Sequence, residues 1–332
     1  MKRPTIYDVA ERAGVSKSLV SLVLRDSPKV SDEKREAVHT AMRELDYTPS
    51  KLAAGLAGTR TRSVGVVIDD FANLWFVEAL AGLREALASG GYSLSVADSR
   101  LNAHLSLDPI EVFRSLRVDG IVLAGEASAD AVARLGVPAV VLGTRSIEAP
   151  VGTAPRPVIA SDEATGGRLA VRHLVTLGHR DITCVSGPGA SASERERGYT
   201  AEMLAHGLAP RVVRAAETSE SAARAVVGAE LFADPAPTAV FAVNDPMAVG
   251  VIGAARAAGI DVPGDLSVVG YDDSPLAAYE LVSLTTIGGN PRALGEQAGH
   301  MLVALIEQRD APVQAPLMPR VVERSSTAPR SH

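Results

Sequence analysis

The stretch Thr5-Ile-Tyr-Asp-Val-Ala-Glu-Arg-Ala-Gly-Val-Ser16 decides the fold of the first sixty residues. Thr5 and Asp8 have the spacing of a capping box, in which a hydroxyl and a carboxylate three residues apart hydrogen-bond the free backbone groups of a helix start. Apolar residues then recur on one helical face, and Gly14 ends the helix. Because Ser16 is a favourable cap for the next helix, the stretch predicts two helices joined by a tight turn, which is the spacing of a helix-turn-helix.

The second helix of this unit carries the candidate base-reading residues. Its apolar residues recur on one face, which leaves Lys17, Ser18 and Leu22 on the other. The N-terminal residues of a recognition helix meet base edges, so we expect these three side chains to face DNA. A third helix begins at Ser31, with acidic residues at its positive end, and closes a small core.

The charges of the chain are divided between a basic head and an acidic body. Residues 1–60 hold all five lysines and carry 11 basic against 8 acidic residues, whereas the rest of the chain carries 22 against 31. Any three-helix bundle could show the helical pattern alone. A positive head on a negative body, however, is typical of a protein that contacts phosphates through its head.

The motifs of the head resemble those of the lactose/galactose repressor family of bacterial transcription regulators. Beyond Thr5–Ser16, the resemblance rests on Val20-Ser21, Val30-Ser31, Leu45-Asp-Tyr47-Thr-Pro49 and Leu52-Ala-Ala-Gly-Leu-Ala-Gly58. One departure is Leu22, which stands where the family commonly has a polar base reader. The DNA contacts that the helical pattern and the resemblance together predict are Thr5, Tyr7, Ser16, Lys17, Ser18, Ser21, Leu22, Ser31, Tyr47, Leu56 and Ala57.

Residues 50–60 are predicted to form a hinge between head and body. Ser50 can cap a short helix, but Gly55 and Gly58 each cost that helix up to about 1 kcal/mol relative to alanine. We therefore expect the helix to form only when something holds it, and a flexible linker is the alternative. The resemblance implies that it pairs with its twin in the minor groove, with Leu56 wedged into a base step.

The body that follows is about 270 residues long, enough for two lobes with separate cores. Short apolar runs alternate with helical stretches, which predicts an α/β fold with a parallel, doubly wound sheet in each lobe. The resemblance extends through Gly166-Gly167, Asn244-Asp245 and Leu266-Ser-Val-Val-Gly-Tyr-Asp-Asp273, and it implies a two-lobed, periplasmic-binding-protein-like core. The predicted divisions are a helix-turn-helix headpiece (1–49), the hinge (50–60) and an effector-binding and dimerisation core (61–332), with a first lobe of about 61–160 plus 290–318 and a second of about 161–289 plus 319–328.

A ligand cleft is expected where the strands end, because open α/β sheets bind ligands beyond the carboxyl ends of their strands. Aromatic rings there could meet the C–H face of a sugar, and carboxylate, amide and guanidinium groups suit its hydroxyls. Arg195 and Asp272 are carried over from the family pattern, with Asp162 as a further candidate. The alternative for each acid is a helix cap or a local pair. The predicted effector-binding residues are Asp69, Asp70, Asn73, Trp75, Phe76, Arg145, Asp162, Arg195, Asn244, Asp245 and Asp272.

The sequence patterns argue against a cofactor, a metal site and a membrane anchor. Pro188 interrupts the glycine-rich run 187–192, which disfavours a nucleotide cofactor, and His173, His179 and Cys184 lack the paired spacing of a zinc site. Cys184 is the one cysteine of the chain and is expected to be a packed thiol. Since neither a signal segment nor a run of about 20 apolar residues is present, we expect a cytoplasmic protein without membrane contact.

The predicted function is a sequence-specific DNA-binding regulator, a repressor, whose affinity for a pseudo-palindromic operator changes when a small molecule, a sugar, binds in the cleft. A homodimer is expected, because the tail after Val321 lacks the heptads of a coiled-coil tetramerisation helix. No catalytic residue is predicted. The alternatives are a solute-binding protein or a carbohydrate-active enzyme with a fused DNA-binding head, because glycoside hydrolysis also needs two carboxylates that flank a sugar.

Overall fold

A computed structural model describes residues 4–24, 27–47, 60–99, 108–124, 135–143, 156–231, 236–310 and 317–330. The chain divides into two compact units, a head of Met1–Arg62 and a body of Ser63–His332. The hinge positions Ser50, Leu56 and Ala57 and the cleft candidate Arg145 lie outside the described residues.

The head is built from three helices, α1 (Ile6–Arg12), α2 (Lys17–Leu24) and α3 (Asp32–Glu44). Their apolar faces meet in one core, which confirms the predicted periodicity. The buried members of that core are Val9, Ala10, Val20, Val23, Val30, Val38 and Ala41.

The predicted caps of the first two helices are also confirmed. The backbone N–H and the hydroxyl of Thr5 donate to the Asp8 carboxylate at 2.6 and 2.7 Å. The Ser16 hydroxyl accepts from the Leu19 N–H at 3.2 Å. Each of these bonds satisfies a backbone or side-chain group at a helix start, so local chemistry alone sets where α1 and α2 begin.

The body alternates strands and helices, as predicted. Its described elements, in chain order, are β1 (Ser63–Ile68), α4 (Trp75–Ser89), β2 (Ser93–Asp98), α5 (Pro109–Ser115), β3 (Gly120–Leu123), β4 (Ala139–Leu142), β5 (Val158–Ile159), α6 (Glu163–Thr176), β6 (Ile182–Ser186), α7 (Ala190–Ala205), β7 (Arg211–Arg214), α8 (Glu220–Glu230), β8 (Ala239–Ala242), α9 (Asp245–Ala257), β9 (Ser267–Tyr271), a 3-10 helix (Pro275–Ala278), β10 (Thr285–Gly288), α10 (Pro291–Ile306) and β11 (Arg320–Val322).

The strands form two sheets, one in each lobe. The first sheet has the order β2-β1-β3-β4-β5, and all its strands are parallel. The second has the order β11-β10-β9-β8-β6-β7 and is parallel except for β11, which pairs antiparallel with β10. The α/β class is confirmed, but β11 departs from the all-parallel prediction. The sequence patterns miss β10, whose Thr-Thr-Ile-Gly is not an apolar run, and the three-residue β11.

Each lobe has its own apolar core. In the first lobe, Leu294, Ala298 and Leu302 of α10 pack with α4 and the sheet, so this late helix belongs to the first lobe. Cys184 lies in the core of the second lobe, where burial raises the pKa of its thiol, and the prediction of a packed thiol is confirmed. Within the described ranges, no helix is both long and apolar enough to span a membrane.

Three segments that connect the lobes lie side by side, and we call them the crossovers. The first leaves the carboxyl end of β5 and continues through Ser161 into α6, and the second leaves the carboxyl end of β10 through Gly289. A Cβ placed on Gly289 would lie 3.2 Å from the Ser161 hydroxyl oxygen. The third segment lies between α10 and β11, and its Leu317 forms a bridge with Ser161. Since β5 and β10 both exit through their carboxyl ends, the carboxyl edges of the two sheets adjoin the same crossovers.

Candidate functional site

The exposed face of the head is organised around a contact between Lys17 and Tyr7. The Lys17 ammonium donates to the Tyr7 hydroxyl at 3.0 Å and lies 4.6 Å from the centroid of the ring. The Tyr7 side chain is 63% exposed. The hydrogen bond and the positive charge of Lys17 lower the pKa of Tyr7 below its ordinary value. The start of α2 thus presents a basic group next to an aromatic hydroxyl, which suits contact with phosphates and base edges.

The other predicted DNA contacts of the head fall into two groups. Ser18 and Leu22 are exposed on α2, with 38% of Leu22 accessible, and an exposed leucine there suits contact with a thymine methyl. Ser31 is exposed at the start of α3. The residues of the second group make contacts within the head. Thr5 and Ser16 cap helices, Ser21 is partly buried, and Tyr47 packs against the core of the head.

The body holds a buried charge cluster at the carboxyl edge of the second sheet. Arg195 on α7 donates from Nε to Glu163 Oε2 at 2.6 Å and from Nη1 to the Val243 carbonyl at 2.7 Å. Its Nη2 lies 3.0 Å from Asp272 Oδ1, and its guanidinium stacks 3.7 Å from the centroid of the Tyr271 ring. Arg195 and Glu163 are 7% exposed and Asp272 is 3% exposed, so water screens these charges little.

Two glycines allow this cluster to form. A Cβ on Gly167 of α6 would lie 2.1 Å from the Arg195 carbonyl oxygen, and one on Gly198 of α7 would lie 2.0 Å from the Ala164 carbonyl oxygen. Only glycine fits at both positions, because any side chain would force the two backbones apart. The close approach brings Glu163, at the start of α6, beside Arg195.

Burial and charge act against each other on the titration of the cluster. Burial raises the pKa of Asp272, and the neighbouring carboxylates of Asp245 and Glu163 add to that effect, while Arg195 opposes it. Burial alone would lower the pKa of Arg195, but the charges of Asp272 and Glu163 outweigh it and hold that pKa above its ordinary value. Asp272 also has a backbone φ of 109°, a conformation that asparagine and aspartate adopt more readily than most residues.

Two predicted effector contacts in the second lobe cap helices. Asn244 caps α9, where it accepts from the Met247 N–H at 2.8 Å and donates to the Thr218 carbonyl at 3.0 Å. Asp162 caps α6 through the Thr165 N–H at 2.9 Å. The alternative of a helix cap, considered for each acid, therefore describes Asp162, and Asn244 has the same local role.

The structure corrects the predicted role of Asp245 as an effector contact. Its carboxylate is 0% exposed and accepts from the N–H and the hydroxyl of Ser274, both at 2.8 Å, and from the Thr286 hydroxyl at 2.6 Å. Burial raises the pKa of Asp245 to about 6, while the Thr286 and Ser274 hydrogen bonds oppose that rise. Because its three hydrogen-bond donors lie within the protein and it has no accessible surface, the Asp245 carboxylate braces the loop after β9 and is not open to a ligand.

The first-lobe candidates cluster where β1 ends. Asp69 and Asp70 are half-buried and follow that strand directly, and the Asn73 side chain accepts from the Trp75 N–H at 3.0 Å. The Trp75 ring is half-buried and lies within 3.8 Å of the place a Cβ would occupy on Gly143, at the end of β4. These residues therefore do gather at one carboxyl edge, as predicted from the strand ends.

The structure also corrects the prediction that the ring of Phe76 faces a sugar. It is 4% exposed and belongs to the core of the first lobe. The exposed ring at this edge is instead that of Phe71, with 43% accessible, and the Asp98 carboxylate holds its backbone N–H at 2.7 Å. Helical spacing explains the error, because consecutive residues at the start of α4 point in directions about 100° apart and only one can face the cleft.

Glu163 is the charged member of the cluster that no sequence pattern singles out. It follows Asp162, so the local pattern indicates only an acidic helix start. The signal that could have revealed it is the pair of glycines on α6 and α7, which predicts a close helix crossing but not which side chains flank it.

Comparison with known proteins places this architecture in a family. Residues 5–50 match the family model "Bacterial regulatory proteins, lacI family", and residues 171–327 match "Periplasmic binding protein-like domain". The HTH-type transcriptional regulator DegA of Bacillus subtilis is 31% identical over 337 residues, covering 98% of this chain and 99% of DegA. The chain belongs to the LacI family. A second relative, the HTH-type transcriptional repressor PurR of Edwardsiella ictaluri, is 33% identical and covers 98% of this chain and 97% of that protein.

Solved LacI-family structures resemble this chain along nearly its whole length. The lac repressor dimer bound to operator and the anti-inducer ONPF gives a TM-score of 0.82 at 30% identity. The match covers 98% of this chain and 100% of that chain. The transcriptional regulator CelR in complex with cellobiose gives 0.67 at 29% identity, with the same two coverages, 98% and 100%. This LacI-family chain is therefore a DNA-binding transcriptional regulator and not an enzyme.

Proposed function

We propose that this LacI-family chain is a homodimeric repressor whose affinity for operator DNA is set by a sugar bound between the lobes of the body. The observation that carries this proposal is the ion pair of Arg195 and Asp272 at the carboxyl edge of the second sheet. That edge adjoins the crossovers, so a molecule bound there would act on the segments about which the lobes move relative to each other.

The charges of the cluster favour a ligand that donates hydrogen bonds. In the cluster, the carboxylates of Glu163 and Asp272 both face the guanidinium of Arg195, and the nearby Asp245 raises the pKa of Asp272 further. A phosphate or carboxylate ligand would bring a further anion to a buried site whose cation, Arg195, is already paired with Glu163 and Asp272, which is costly. Neutral hydroxyls donate to carboxylates and accept from arginine, so they match both partners.

Two structural relatives lend support to a sugar. The CelR structure is a complex with cellobiose, and a LacI-family regulator from Enterococcus faecium, with a TM-score of 0.71 at 26% identity, contains bound ribose. The exposed Phe71 ring and the half-buried Trp75 ring supply apolar faces for the C–H side of a sugar at the opposite carboxyl edge. The aromatic and the charged halves of a sugar site are thus available in different lobes.

The division of labour along the chain forms the second part of the proposal. Residues 1–49 read the operator, residues 50–60 act as the hinge, and residues 61–332 bind the effector and dimerise. Lys17, Ser18 and Leu22 contact bases. A two-fold dimer matches a pseudo-palindromic operator, because each head then meets an equivalent half-site. The similar lac repressor, a dimer on its operator, supports this arrangement.

A thermal-shift screen tests the ligand class. The wild-type protein is heated with neutral sugars, including ribose and cellobiose, and with sugar phosphates and purine bases as contrasts. A sugar present at 100 times its dissociation constant stabilises the native state by about 2.7 kcal/mol, which raises the midpoint of a domain this size by about 5 °C. No shift with any neutral sugar, or shifts with the contrast compounds alone, would overturn the sugar assignment.

The Asp272→Asn variant tests the site. Asparagine has the same shape and tolerates the positive φ of this position, so the fold should survive, and circular dichroism checks this. The variant should need at least about tenfold more of the sugar identified in the screen for the same midpoint shift, because a charged acceptor is lost. An unchanged titration would move the effector site away from Asp272.

A further inference from the structure

We infer that Glu163 is the positioning residue that couples the effector pair to the crossovers between the lobes. One oxygen of its carboxylate accepts from Arg195 at 2.6 Å, and the other accepts from the hydroxyl of Ser161 at 2.9 Å. Glu163 therefore joins a residue of the proposed effector site to a residue of the first crossover. This inference rests on the proposed effector role of Arg195 and Asp272.

Ser161 lies where a change in backbone angles would move one lobe against the other. It sits in the first crossover, bridges to Leu317 in the third, and faces Gly289 in the second. Hinges are a few residues at the ends of secondary structure elements that absorb such changes. A side chain that holds Ser161 thus restrains all three crossovers at one point.

The coupling arises because a single guanidinium serves two carboxylates. Arg195 lies between Glu163 and Asp272, with N–O distances of 2.6 and 3.0 Å. A ligand hydroxyl that donates to Asp272 lowers the negative charge available to Arg195 on that side, so the guanidinium turns toward Glu163 or follows the ligand. Either movement changes the position of the Glu163 carboxylate and its hold on Ser161, because hydrogen bonds in a buried network affect one another.

A second ion pair on the same two helices provides a matched control. Glu202 on α7 is 7% exposed, as is Glu163, and accepts from Arg172 of α6 at 2.7 Å. The pair links α6 to α7 with a carboxylate of equal burial, but the ion-pair partners of Glu202 among the described residues are Arg172 and His206, neither of which belongs to a crossover. Loss of charge at Glu202 should therefore affect helix packing without reaching Ser161.

Hydrogen exchange of the full-length, ligand-free protein measures the coupling directly. Exchange is followed in peptides that cover residues 159–163 and 287–291, in wild type and in the Glu163→Gln, Asp272→Asn and Glu202→Gln variants. We expect Glu163→Gln to raise exchange in both peptides by at least about tenfold, because a charge-assisted hydrogen bond is lost. Asp272→Asn should raise it less, and Glu202→Gln should leave it at the wild-type rate.

The double variant decides between coupling and a purely structural role. If Asp272 acts on the crossovers through Glu163, then adding Asp272→Asn to Glu163→Gln changes exchange no further. Additive effects, or a wild-type rate in Glu163→Gln, would overturn the inference. Should Glu163→Gln fail to fold, Ser161→Ala removes the same link from the other end, and in it Asp272→Asn should have no effect on exchange in residues 287–291.

The experiment separates failure of this inference from failure of the proposed function. No sugar is present during exchange, so the coupling can be absent while the Asp272→Asn variant still loses its sugar-induced midpoint shift. In the opposite case, intact coupling with an unaffected sugar titration would retain the role of Glu163 and reject Asp272 as an effector contact.

Discussion

Replacement of Lys17 by alanine should weaken binding to the operator more than binding to unrelated DNA. In the free head, the Lys17 ammonium donates to Tyr7 at 3.0 Å and stacks over its ring at 4.6 Å. Both side chains are exposed, so water readily replaces this contact and the lysine is available to a guanine. Loss of a base contact lowers specific affinity about 5- to 150-fold and leaves nonspecific affinity much less affected.

The operator duplex is first selected by the wild-type protein from a random pool of sequences. Fluorescence anisotropy then measures the affinity of the wild type and of Lys17→Ala for this labelled duplex and for a scrambled duplex. The titrations are repeated at 50 and 200 mM salt, because the salt dependence tells a phosphate contact from a base contact. One lost phosphate contact makes the ratio of wild-type to variant affinity shrink about 3.5-fold between these two concentrations. A base contact leaves that ratio nearly constant.

Two variants complete the comparison. Arg12→Ala removes an equal charge from the head, but from an exposed side chain already paired with Glu44 at 2.6 Å, so its effect should be small on both duplexes. Tyr7→Phe removes the hydroxyl that Lys17 contacts; because Tyr7 is itself a predicted DNA contact, some affinity should be lost, but the preference for the operator over the scrambled duplex should persist if Lys17 reads a base. An equal loss on both duplexes for Lys17→Ala, with the salt signature of a phosphate, would refute its base-reading role.

The remaining predictions concern the stability of the body. Burial lowers the pKa of the His179 imidazole below 6.5, so the folded state binds a proton at His179 less tightly than the unfolded state does. The stability that neutral His179 allows is therefore fully present above pH 6.5 and is lost as the pH falls below that value. Calorimetry should therefore show a thermal unfolding midpoint that drops more steeply between about pH 7 and 5 in the wild type than in His179→Asn. Parallel plots of the midpoint against pH for the two proteins would contradict this. Gly167→Ala should destabilise the body, since the added carbon would lie 2.1 Å from the Arg195 carbonyl oxygen. Gly228→Ala on α8 meets no atom within 4 Å and should stabilise it by up to about 1 kcal/mol, as urea titrations of both variants would show.

Features that depend on neighbours a few residues away could be read from the sequence. The Thr5 capping box, the Ser16 cap and the apolar spacing of the head each involve residues within one or two helical turns, and all are confirmed. Most strands of the parallel sheets can be predicted for a related reason, because a buried parallel strand tends to be a nearly continuous apolar run, whereas β10, Thr-Thr-Ile-Gly, is not. Burial of Cys184 follows from its place in such a run on β6.

The tertiary structure alone decided which polar groups meet. Glu163 and Arg195 are 32 residues apart, and the bond between them exists because α6 and α7 cross at close range. The burial of Asp245 depends on Ser274 and Thr286, which lie 29 and 41 residues further along the chain. A strand end shows that a carboxylate lies at the edge of a sheet, but whether it is free for a ligand depends on distant segments. The sequence therefore determined most of the elements and the polar residues at their strand ends, and the packing of those elements determined which of these charges remain accessible.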